Sequence, residues 1–104
     1  MDNKIIHWTI NALDQLAELY DYIADDSVKS AQKYVNGLYE STERLSRFPE
    51  SCAPCRHDTL REAGYRCCKY RNHIVVYKLS EYAVTIHAVI HSRRNPDVFG
   101  ELVG

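Results

Sequence analysis

GYRCCKYRNHIVVYKLSEYAVTIHAVIHS, residues 64–92, decides the fold. Three runs rich in β-branched and aromatic residues, Tyr65–Tyr70, Ile74–Leu79 and Ala83–His91, are separated by Arg71-Asn72-His73 and Ser80-Glu81-Tyr82. Such runs, bounded by turn-friendly residues, read as strands. Connections this short join strands antiparallel, so the segment predicts a meander. In the last run Val84, Ile86, Ala88 and Ile90 alternate with Thr85, His87, Val89 and His91. Successive strand residues point to opposite faces, so the apolar set is expected under a covering layer, with His87 and His91 turned away from it.

The covering layer lies upstream. KIIHWTI (4–10) has the content of a short strand that opens the sheet, with His7 and Trp8 on opposite sides. In TINALDQLAELYDYIADDS, Leu13, Leu16, Ala17, Tyr20 and Ile23 recur at the spacing of a one-sided helix. Thr9 or Asn11 serves as its cap, and Asp25-Asp26 opposes the dipole at its end. Ser27 caps a second helix running to about Phe48, on which Ala31, Tyr34, Val35, Leu38, Thr42 and Leu45 share a stripe. Pro49 closes it. Residues 49–63 read as a loop or a short irregular helix. The order is β-α-α-β-β-β, an α+β fold in which a two-helix hairpin packs on a twisted antiparallel sheet, one domain spanning 1–104.

Composition agrees: 104 residues, 45% hydrophobic and 26% charged, with four Gly and three Pro, suit one globular core. No apolar run approaches the roughly 20 residues that cross a bilayer, and MDNKIIHWTI lacks a secretory pattern, so no membrane role and a cytoplasmic location are expected. The near-zero net charge conceals an asymmetry. Residues 1–51 carry five Lys/Arg against nine Asp/Glu, whereas residues 56–94 carry eight against three. A local basic excess is an electrostatic footprint for an acidic partner surface or for nucleic acid.

Cys52 and Cys55 form a CxxC that could be a redox pair or half of a zinc site. Cys67 and Cys68, as neighbours on a strand, point to opposite faces and cannot both meet one metal. The four are read as thiols, and no metal or cofactor is expected. Eight tyrosines are unusual, and their simplest role is packing with the hydroxyl at water. A base-stacking platform would need cations on the same face, for which Arg66, Lys69 and Arg71 lie near Tyr70 in sequence. The main candidate site joins Arg66 to His91, Arg93 and Arg94. If the first and last meander strands share a sheet, these guanidinium groups and a proton-exchanging imidazole converge on one patch. Pro96 ends strand pairing just beyond it.

The element order, with LAELYDYIADDS (16–27), GYR (64–66), IVVYK (74–78) and VTIHAVIHSRRNP (84–96), resembles the ParE/RelE superfamily of bacterial toxins, within it the ParE branch, from Trp8 to Phe99. The resemblance implies a toxin neutralised by a ParD-like or similar cognate antitoxin in a hetero-oligomeric complex. ParE-like members poison DNA gyrase, whereas RelE-like members cut mRNA on the ribosome. A ribonuclease needs a base, an acid and cations, for which Arg66, Arg93 and Arg94, with His57, Glu62 or His91, are candidates. The RelE pattern has lysines ahead of the GYR strand and a tyrosine past the terminal arginine. Here Arg56, His57 and Arg61 stand in the loop and Phe99 near the tyrosine position, and a phenyl ring transfers no proton. The resemblance therefore implies a non-enzymatic gyrase-binding toxin, with a RelE-like endoribonuclease as the alternative and an inactive antitoxin-binding relative as a third. Target contacts are expected at Arg66, His91, Arg93 and Arg94, and antitoxin contacts at Leu13, Leu16, Tyr20, Tyr34 and Leu38.

Overall fold

The computed structural model describes residues 3–93. Its elements follow the expected order: β1 (Ile5–Trp8), α1 (Ile10–Ala24), α2 (Val28–Glu43) running into a 3-10 turn (Arg44–Ser46), a short α3 (Asp58–Glu62), then β2 (Tyr65–Tyr70), β3 (His73–Leu79) and β4 (Ala83–His91). Both helix starts are capped as their sequences demand. The Thr9 hydroxyl accepts from the Ala12 N–H at 3.1 Å, and Ser27 Oγ accepts from the Ser30 N–H at 3.1 Å. The second α-helix ends before Phe48, its last turn tightening into the 3-10 segment ahead of Pro49.

The four strands form one sheet in the order β1-β4-β3-β2. β2, β3 and β4 make the expected antiparallel meander, but β1 lies parallel to β4, so the sheet is mixed rather than wholly antiparallel. Chain direction explains this. α2 returns the chain to the end where β1 begins, where Lys4 N–H donates to Ser46 O at 2.9 Å. β2 therefore starts at the same end as β1, and two hairpin reversals leave β4 running with β1. Within α2, Gly37 is where Tyr70 crosses the helix: a Cβ there would collide with the Tyr70 hydroxyl.

One sheet face carries α1 and α2. Ala12, Leu38, Leu45, Val75, Tyr77, Val84, Ile86 and Val89 are buried together there. On the opposite face α3 and the strap before it, residues 49–57, cover one region, where Cys55, Leu60, Tyr65, Val76, Ala88 and Ile90 form a second small core. Strict alternation along β4 is thus not what the fold uses. Val76 pairs with Ala88 but Tyr77 pairs with Ile86, leaving His87 as an extra residue in a β-bulge. Beyond the bulge the parity flips: Val84 and Ile86 face the helices as expected, but Ala88 and Ile90 face the other core, and Val89 takes the helix side. The Val89 N–H, past the end of β1, donates to Gln15 Oε1 of α1 at 2.7 Å.

The cysteines are not thiols. Cys52 bonds to Cys68 and Cys55 to Cys67, with Cα–Cα distances of 5.4 and 4.9 Å. The sulfurs are thereby committed to two bridges, neither to zinc nor to a bond within the CxxC. Opposite orientation of Cys67 and Cys68 is the reason for this pairing. The strap lies along the outer edge of β2, with Cys55 N–H donating to Tyr65 O and Cys67 N–H to Ala53 O. One bridge then closes on each face of the strand. Pro54, which has no N–H to offer, sits opposite Arg66 in this added edge.

Candidate functional site

At the end of the sheet where β2 turns into β3, register alone assembles a cross-strand row. Tyr70 pairs with His73, and His73 with His91. Tyr34 of α2 leans on this row from the helix side, with its ring 5.4 Å from that of Tyr70 and 5.5 Å from that of His73, both edge-on. The His73 and His91 rings are 5.1 Å apart. The turn between the strands contains Arg71, held at φ 51°, a conformation rare outside glycine and asparagine. That backbone carries its guanidinium over two tyrosine rings, 5.9 Å from the centroid of Tyr34 and 5.7 Å from that of Tyr70. After β4, Ser92 N–H donates to Asn72 O at 2.8 Å, and Arg93 N–H donates to His91 Nδ1 at 3.1 Å, which brings Arg93 to the same end.

Tyr34 Oη accepts from the Asn72 N–H at 3.4 Å and shares a hydrogen bond of 2.7 Å with His73 Nδ1, whose direction follows the imidazole tautomer. Burial, then the neighbouring His91, lower the His73 pKa below its ordinary 6.5. Burial raises that of the Tyr34 phenol, against the opposing pull of the Asn72 N–H and Arg71. The result is a packed aromatic and imidazole cluster with the Arg71 guanidinium over its rings and the Arg93 backbone at its rim.

Arg66 is not part of it. It is paired with Tyr77 on β3, four positions along β2 from Tyr70, or about 13 Å at strand rise. Its Nη1 donates to Cys52 O at 2.7 Å, a bond that fastens the strap. The patch expected to combine Arg66 with His91 and Arg93 is therefore divided between the two ends of one sheet. Arg94, with Pro96 and Phe99, lies outside the described residues. His87 and His91 do not share a face either: the bulge turns His87 onto the face opposite the helices, with its ring 5.1 Å from Tyr65, while His91 meets His73 on the helix side. Arg71 was noted in the sequence only as a cation near Tyr70, and His73 went unnoticed because a turn reading assigns it no partner. The usable signal was Tyr70 immediately before them. Lys69, the other cation beside Tyr70, falls on the opposite face.

Of the residues expected to meet an antitoxin, Leu13 is exposed, and Leu16, Tyr20 and Tyr34 are half-buried. Leu38 is wholly inside the core and presents no surface. A cleft of about 730 Å³ opens on the strap side, lined among others by Arg56, His57, Leu60, Lys69, Ile74 and Ser92.

The imidazoles carry a pH prediction. His87, like His73, has its pKa lowered, first by burial and then by Lys78 and His7. A folded-state pKa below the unfolded value favours the neutral ring in the fold. The stability is complete above the unfolded pKa of about 6.5 and is lost as pH falls through the folded value. Urea unfolding between pH 7 and 5 is expected to show stability falling with acidity, and the His73→Gln, His87→Gln double variant to show a flatter profile; parallel profiles would contradict the assignment.

Relatives place this geometry in a family. The model of the ParE toxin of type II toxin–antitoxin systems, parDE, matches residues 6–96. A protein of Sinorhizobium fredii described as "Putative toxin Y4kP" is 31% identical over 94 residues, covering 90% of this chain and 94% of its own. Among solved structures, the chromosomal ParDE toxin–antitoxin system from P. aeruginosa superposes with a TM-score of 0.71 at 17% identity, covering 85% of this chain and 95% of that one, which is likeness of fold. On the family match, which takes in both long helices and all the described strands but for the first residue of β1, this chain belongs to the ParE toxins of type II toxin–antitoxin systems.

Proposed function

We propose that the chain is a gyrase-poisoning toxin that acts by binding rather than by catalysis, and that an antitoxin neutralises it by covering the exposed and half-buried apolar residues of α1 and α2. Membership of the ParE family over residues 6–96 is the observation that carries this reading. The cluster at the sheet end supports it. Tyrosine and arginine are the side chains on which protein interfaces concentrate binding energy, because they offer large rigid contact area with a polar tip. Tyr34, Tyr70 and Arg71 present that combination already packed, so little side-chain freedom is lost on docking. For the antitoxin, Leu13 with the half-buried Leu16 and Tyr20 forms the contact stripe on α1, and Tyr34 continues it on α2.

Purified protein is expected to inhibit gyrase supercoiling and to accumulate cleaved DNA. Codon-phased mRNA cuts in a translating extract, with gyrase unaffected, would replace this reading by the ribonuclease one. Arg93→Ala combined with Arg94→Ala is expected to weaken growth arrest by roughly tenfold or more, the scale of one interface hot spot. The melting temperature should stay within a few degrees, since exposed charge changes alter stability little. Full toxicity in that variant would remove the terminal arginines from the target surface.

A further inference from the structure

We propose that the paired bridges form a thiol–disulfide exchange site whose co-substrate is a dithiol reductant, and that exchange releases the strap from the edge of β2. The proposal holds whichever target the toxin has. All four cysteines are joined in it, and both bridges connect the same two short stretches, 52–55 and 67–68. Besides the bridges, the strap makes two backbone bonds to β2, accepts from Arg66 at Cys52 O, from the Tyr77 hydroxyl at Pro49 O at 2.8 Å and from Arg61 at Arg56 O, and buries Cys55 in the small second core. Its hydrogen bonds lie along one sheet edge and its apolar contact is small, the combination that opens locally without global unfolding.

The chemistry has a direction. Arg44 Nη2 lies 3.4 Å from Cys52 Sγ, where its charge stabilises a thiolate. Cys52 is therefore the better leaving group. A reductant thiolate attacks Cys68 Sγ, the Cys52–Cys68 bond breaks, and its electron pair leaves on Cys52. The second thiol of the reductant then attacks the reductant's own sulfur in the mixed disulfide. This frees the Cys68 thiolate and leaves the reductant as a disulfide, two electrons and two protons having passed to the protein. Cys55 is 1% exposed, so the second bridge can be attacked only at Cys67 from the cleft, and, lacking the Arg44 contact that Cys52 has, it follows the first. Release returns the outward Tyr65 O and Cys67 N–H to solvent and dissolves the cleft wall that carries Arg56 and His57. In a compartment rich in dithiols the open strap is the resting state, and oxidation clasps it.

The test uses the full-length protein and dithiothreitol as probe, with N-ethylmaleimide trapping and hydrogen exchange read by mass spectrometry. Expected are no adducts before reduction, a two-adduct species labelled at Cys52 and Cys68 first, and then four adducts. On reduction, protection at 52–57 and 65–68 should fall at least tenfold while β3 and β4 stay protected. Arg44→Ala should slow the first step about threefold, as a less stabilised leaving thiolate requires. The Cys52→Ser, Cys68→Ser variant should keep the second bridge and show it reduced faster than in the parent. Adducts before reduction, unchanged protection at the strap after full reduction, or loss of protection throughout β3 and β4 would each overturn the proposal, the last by making the bridges simple staples of the fold.

Discussion

Tyr77→Ala is expected to lower the unfolding free energy by about 3–5 kcal/mol, the range for removing a buried aromatic ring. Tyr77 has no exposed surface and is the largest of the fully buried side chains. It stands where the two-helix layer, β3 and the strap meet, with Arg66 and Ile86 as its cross-strand neighbours. Domains of this size are stable by only about 5–15 kcal/mol, so the variant should melt on the order of 20 °C lower or fail to fold. Tyr77→Phe separates the ring from its hydroxyl. It keeps the packing and removes the hydrogen bond to Pro49 O, for a loss of about 1 kcal/mol. It should also flatten the alkaline limb of stability. Burial raises the Tyr77 phenol pKa above its ordinary 10.0, against the smaller opposing influence of Arg66. A raised folded-state value means the neutral phenol is favoured in the fold. The contribution is complete below about pH 10 and is lost as pH rises through the folded pKa. Urea unfolding from pH 8 to 11 should therefore show a steeper decline for the parent than for Tyr77→Phe, with Tyr34 supplying part of the residual slope. Equal slopes, or an alanine variant as stable as the parent, would mean that Tyr77 does not anchor the core.

Much of the architecture was legible because it follows from local rules. The caps at Thr9 and Ser27, the helical stripe through Ala31, Leu38 and Thr42, and the three meander strands all depend on periodicity and turn chemistry within a few residues. What could not be read depends on relations between distant segments. The parallel pairing of β1 follows from where α2 delivers the chain. The bulge at His87 follows from covering two faces of one strand with different layers, so Ala88 and Ile90 serve a core whose other half, Cys55 and Leu60, comes from the strap. The cysteines show the same division. That Cys67 and Cys68 point apart was deducible, but that a strap would lie along the edge and meet each of them was not. For the candidate site, Arg93 and His91 were marked by their chemistry. Arg66 resembled them in type and stands about 13 Å away because its register partner is Tyr77 rather than His73.

The bulge makes a prediction about deletions within β4 that separates its two halves. Deleting His87 should leave a folded protein, with losses of no more than about 1–2 kcal/mol. Without it, Ile86 is followed directly by Ala88, and the sequence Val84, Thr85, Ile86, Ala88, Val89, Ile90 alternates strictly between the helix-side core and the strap-side core. Every apolar residue keeps its present face, and the ladder to β3 becomes regular, because Val76 and Tyr77 already pair with Ala88 and Ile86. The specific losses are the Tyr65–His87 ring contact and the acceptor for the Thr9 hydroxyl, a bond of 3.4 Å. Deleting Thr85 two positions away removes the same length of chain with the opposite result. If the bulge stays, Val84 moves opposite Lys78 and leaves the core. If the strand slides to absorb the bulge, His87 comes opposite Tyr77 and enters the helix-side core while Ile86 leaves it. A slip of one residue exchanges the faces, so no register keeps both Val84 and Ile86 inside. Expelling either, with the hole it leaves, costs on the order of 2–5 kcal/mol, and burying the imidazole adds to that. Circular dichroism melts of the two deletions, made in the same background, should give a cooperative transition for the His87 deletion and a broad or absent one for the Thr85 deletion. Two equally damaged proteins would mean that the extra residue is required for β4 to curve between its layers, and that regular alternation is not sufficient to place Ala88, Val89 and Ile90.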